Sequence, residues 1–79
     1  MRPLHVIARE IQIDWRNVHY SAKPYLYAML GISGGITDMY GFDGAREIVL
    51  RFLGNATSWK GETARRIKKE LNGMLKGKE

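Results

Sequence analysis

The 79-residue chain has no cysteine, only two prolines and no long apolar run. Without thiols it has no disulfide framework, zinc finger or thiolate cluster, and it suits a reducing compartment. Its longest nearly unbroken apolar stretch, Tyr25 to Leu30, is far short of the roughly 20 residues that a membrane-spanning helix needs. Arg9 and Glu10 interrupt the apolar start, so no secretory signal is expected. The residues that are present, 44% hydrophobic and 27% charged, exclude disorder, collagen and coiled coil. The length leaves room for one core, so residues 1–79 are read as a single basic, cytosolic domain.

Acidic side chains are also scarce, and unevenly so. Residues 1–59 carry six basic and five acidic side chains, a net +1, whereas residues 60–79 carry seven and three, a net +4. Charge concentrated in this way suits a phosphate-bearing partner or an acidic protein surface. The plainer alternative is a solvated terminal helix that keeps the protein dispersed.

Hydrophobic spacing predicts four helices and no strand, hence an all-α, four-helix domain. Leu4, Ile7, Ala8, Ile11, Trp15 and Val18 recur at helical spacing, which predicts a helix over 4–17 with Pro3 at its start. Ser21 is the expected N-cap of a second helix, Ala22 to Leu30, which is apolar nearly all round and stops at Gly31. A Gly-rich loop follows, with Asp38 in a turn. Asp43 is then the expected cap of a third helix, Gly44 to Leu53, which ends at Gly54-Asn55. Thr57 or Ser58 is the expected cap of a fourth helix over 58–75, with Glu62 near its first turn. Its apolar stripe is Ala64, Ile67, Leu71, Met74 and Leu75, and Gly73 and Gly77 weaken its end.

The motifs point to binding rather than catalysis. Gly31-Ile32-Ser33-Gly34-Gly35 has the spacing of a nucleophile elbow but lacks the strand, helix and parallel sheet that motif requires. It also lacks the Lys-Ser/Thr of a P-loop. His5 and His19 are too far apart for a local metal pair, and Asp38, Asp43 and Glu47 are explained by a turn, a cap and solvation. Neither a metal nor a cofactor is therefore expected.

Val6 and Ile13 lie seven residues apart, away from the apolar stripe of the first helix. With Tyr27 on the all-apolar second helix they form a candidate interface, and a homo-oligomer is expected. The strongest candidate ligand site is the start of the fourth helix, with Trp59, Lys60, Arg65, Arg66 and Lys69. A helix N-terminus favours anions, adjacent arginines bind phosphate through two bonds each, and Trp59 offers a plane for a base. The alternative there is structural: Trp59 in the core, Glu62 paired with Arg66, and the other charges solvated.

Several stretches carry a resemblance. They are Met1-Arg2-Pro3-Leu4, Asp14-Trp15, Lys23-Pro24-Tyr25-Leu26, Asp38-Met39-Tyr40-Gly41, Ile48-Val49 and Phe52-Leu53, then Asn55-Ala56 and Trp59-Lys60-Gly61-Glu62-x-Ala64-Arg65-Arg66-Ile67-Lys68. Over most of its length the chain resembles a group of short tailed-bacteriophage proteins, from whose pattern Gly34-Gly35 departs. The resemblance implies a phage product acting in the host bacterial cytoplasm, and it brings no established active site. Small phage proteins outside the virion often act by binding. The expected role is thus non-enzymatic counter-defence, capturing a phosphate-bearing small molecule such as a signalling nucleotide. A protein–protein inhibitor of a host defence or takeover target is the alternative, and a small nucleic-acid-binding module is a third.

Overall fold

The computed structural model describes residues 2–32, 39–40 and 43–76. Four helices account for most of them: α1 (Leu4–Asp14), α2 (Lys23–Leu30), α3 (Ala45–Gly54) and α4 (Glu62–Leu75). A two-residue antiparallel ladder, β1 (Met39–Tyr40) with β2 (Asp43–Gly44), leads into α3, with Met39 opposite Gly44 and Tyr40 opposite Asp43. The helices form one closed circuit, α1 against α2 and α4, α3 against α2 and α4. The helix spacing therefore produced the right class of fold. Of the expected Gly-rich loop, Ser33, Gly34, Gly35 and Asp38 lie outside the described residues, as does Gly77, whereas Met39 and Tyr40 belong to the ladder although the spacing predicts no strand there.

The core draws on every helix. Leu4, Ile7 and Ile11 of α1 meet Leu26 and Met29 of α2, Val49 and Phe52 of α3, and Ile67 and Leu71 of α4, all fully buried. Burying one such side chain stabilises by roughly 1.5–3 kcal/mol relative to exposure. No polar or charged residue is buried among the described residues.

The helix ends differ from expectation for local reasons. The first helix stops at Asp14 rather than residue 17, because the Trp15 backbone leaves helical geometry while its ring stays in the core. Val18, beyond the helix, is only partly buried against that core. Ser21 does not cap α2: its hydroxyl lies 2.7 Å from His19 Nδ1, and Ala22 occupies the N-cap. Asp43 is likewise not the cap of α3. The ladder holds residues 43–44 extended, so Gly44 takes that position and the helix begins at Ala45. At its other end Asn55 Nδ2 donates to the Arg51 carbonyl at 2.8 Å, closing α3 at Gly54-Asn55. α4 starts four residues later than expected, after Gly61 rather than Thr57 or Ser58, and runs through Gly73 to Leu75.

Candidate functional site

The turn between α3 and α4 determines what the basic segment presents. The Ala56 N–H donates to the Leu53 carbonyl at 3.3 Å and the Trp59 N–H to the Ala56 carbonyl at 3.1 Å. This tight path carries the Trp59 side chain inward, where it is 2% exposed. Its ring stacks on Trp15, with centroids 5.7 Å apart and planes 11° from parallel, and Phe52 meets it edge-on at 6.4 Å. Trp59 Nε1 donates to Asp14 Oδ2 at 2.8 Å. The expected stacking plane for a base is therefore occupied by Trp15, and Trp59 is a core residue.

Gly61 follows at φ 117°, ψ −179°, backbone that residues with a side chain rarely adopt. It aims the chain into α4, whose start has no side-chain cap. The Arg65 N–H makes an early intrahelical bond, to the Gly61 carbonyl at 3.0 Å; the N–H groups just before it have no partner within the helix. Around this start lies a shallow depression of about 300 Å³ lined by Trp59, Lys60, Gly61, Ala64, Arg65 and Lys68. Three of the six are cationic and none is acidic.

Lys68 is the residue that the sequence reading left out of the site. Its Nζ donates to the Trp59 carbonyl at 2.6 Å and stands 5.8 Å from the centre of the Trp59 ring. Burial lowers its pKa, and the charge of Lys60 pushes in the same direction. The signal was available: positions 61, 64, 65 and 68 share one helix face.

Arg66 belongs elsewhere. Its Nη2 donates to Glu10 Oε2 of α1, so it does not pair with Glu62 as the spacing allowed. Glu10 also accepts from Arg2 Nη1 at 2.9 Å, and Arg2 in turn grips both oxygens of Glu70, at 2.7 and 3.0 Å. Arg2, Glu10, Arg66 and Glu70 thus form a neutral four-membered network tying the first residues and α1 to α4. Lys69 does not line the depression and has no ion-pair partner among the described residues. Of the five expected ligand residues, the structure brings together Trp59, Lys60 and Arg65, with only Lys60 and Arg65 available as charges.

The candidate interface residues are all on the surface: Val6 is 38%, Tyr27 55% and Ile13 77% exposed. Tyr27 shows that α2 is not apolar-packed all round; only Leu26 and Met29 on it are fully buried. No group of three or more His, Asp or Glu is placed to hold a metal among the described residues, and no described helix is long and apolar enough to cross a membrane. No family model, curated protein or solved structure matches this chain.

Proposed function

We propose that the chain is a non-enzymatic binding protein that takes a phosphate-bearing ligand in the depression at the start of α4. The convergence of Lys60, Arg65 and Lys68 on one small concavity without a carboxylate supports this reading most strongly. An anion placed there gains the uncapped helix N–H groups and relieves the mutual repulsion of Lys60 and Lys68. The role assigned to the ligand, a host signalling nucleotide withheld from a defence system, comes from the phage resemblance. Contact with a base through Trp59 is not part of the proposal.

Titration with pyrophosphate, followed by calorimetry, tests it. Each charge-assisted hydrogen bond contributes about 1.5–3 kcal/mol, so Arg65→Ala should weaken binding by roughly tenfold to a hundredfold. Arg46→Ala, on the exposed face of α3, should leave it unchanged. Equal affinity of Arg65→Ala and the unaltered protein would remove the proposal.

The exposure of Val6, Ile13 and Tyr27 favours a second reading, a protein surface that joins copies of this chain or docks on a host protein. Recovery of one host protein from bacterial lysate, lost with Ile13→Glu and kept with Arg65→Ala, would favour that reading over the first.

A further inference from the structure

A second cavity, of about 360 Å³, opens where α1 gives way to α2. Gln12, Arg16 and Asn17 approach it from the end of α1 and the turn beyond, and Lys23 and Tyr27 from α2. Trp15 and Leu26 contribute an apolar wall. The volume lies at the lower end of the range for small-molecule sites. No carboxylate lines it, and the side chains of Gln12, Arg16, Asn17 and Lys23 make no hydrogen bond to any other described residue. Two cations, two amides and a half-exposed phenol ring therefore face one concavity with their polar groups uncommitted among the described residues.

We infer that this cavity is a binding site for a nucleoside monophosphate, with the phosphate on Arg16 and Lys23 and the base against Tyr27 and the two amides. Each element of that chemistry has a partner. A guanidinium matches two phosphate oxygens at once, and an ammonium adds charge without directional demand. Gln and Asn each present a donor and an acceptor, the pattern needed to meet the edge of a heterocycle. The Tyr27 ring supplies the accessible aromatic face that the α4 depression lacks, where the Trp59 ring is covered by Trp15. The inference does not depend on the α4 site, whose lining shares no residue with this cavity.

The test is an amide chemical-shift titration of the full chain with adenosine monophosphate, adenosine and inorganic phosphate in separate arms. The monophosphate should shift residues 12–27 saturably and bind more tightly than either fragment. Arg16→Ala and Tyr27→Ala should each weaken it roughly tenfold or more, while Arg46→Ala, on the exposed face of α3, stays within twofold of the unaltered protein. All three side chains are exposed, so these variants retain the fold. No saturable shift at residues 12–27 up to millimolar monophosphate, a shift there that survives Arg16→Ala, or inorganic phosphate saturating those same residues as tightly as the monophosphate would each overturn the inference. Pyrophosphate binding at α4 can fail without affecting any of these readouts.

Discussion

Replacing Trp59 by alanine removes a buried indole, a ring stack and the hydrogen bond to Asp14 in one step. Substitutions of that size in a core cost about 3–5 kcal/mol, and urea unfolding followed by far-ultraviolet dichroism should register a loss in that range. Trp59→Phe keeps most of the apolar burial and loses the Nε1 donor. Because Asp14 is exposed and can turn to water, the loss should be only about 1 kcal/mol. A loss as small for Trp59→Ala would mean that the ring is not the keystone its contacts indicate. Gly61→Ala isolates backbone strain: among the described residues no atom beyond its chain neighbours lies within 4 Å of the added methyl, yet φ is 117°, so it should cost on the order of 1–3 kcal/mol. The local sequence left Trp59 open between ligand plane and core, because Asp14, Trp15 and Phe52, which decide the matter, come from other elements. Lys60 and Arg65 were legible as one site because the helix start brings them together without help from afar.

At the scale of the helices, apolar periodicity located all four, since each must bury a stripe whatever its neighbours are. Their ends were less legible. Caps chosen from single residues lost to competing bonds: Ser21 to His19, Asp43's position to the ladder, and Thr57 or Ser58 to the turn that buries Trp59. The charged faces were the least legible part, because Arg66 and Glu10 meet only once α1 and α4 have packed. That network makes stability depend on pH. Bonds from Arg2 and then Arg66 hold the Glu10 carboxyl below its ordinary value. The unfolded chain therefore takes up this proton first as pH falls, so the stabilisation is present above about 4.5 and fades as pH drops through the lower native value. The urea midpoint should decline across that interval, and Glu10→Gln should flatten part of the decline at a lower starting stability. Arg66→Ala should cost roughly 0.2–1 kcal/mol, as partly exposed pairs do, and leave pyrophosphate affinity within twofold. A tenfold loss of affinity in Arg66→Ala would return that arginine to the ligand site.

For the molecule as a whole, what the surface is for was less legible than how the core is built. The neutral Arg2–Glu10–Arg66–Glu70 network removes one cation from the apparent basic patch. The chain's net charge of +5 is then expressed chiefly through the remaining cations of the last quarter. Away from that patch, Val6 and Ile13 stand seven residues apart on α1, both turned from the core. An apolar face on a small protein is covered by a second copy, covered by a different protein, or left to water. Light scattering separates the first case from the others. If copies associate through α1, the unaltered protein should show a mass above 9.0 kDa at high micromolar concentration. Ile13→Glu should return it to the single-chain value. At so exposed a position the substitution should change unfolding stability by no more than about 0.5 kcal/mol, so a fall in mass would report a lost contact rather than a lost fold. A protein that stays at 9.0 kDa throughout would remove the second copy as occupant. Tyr27 would then be left to the cavity it shares with Arg16 and Lys23, and Ile13 to water or to a partner that is not this chain.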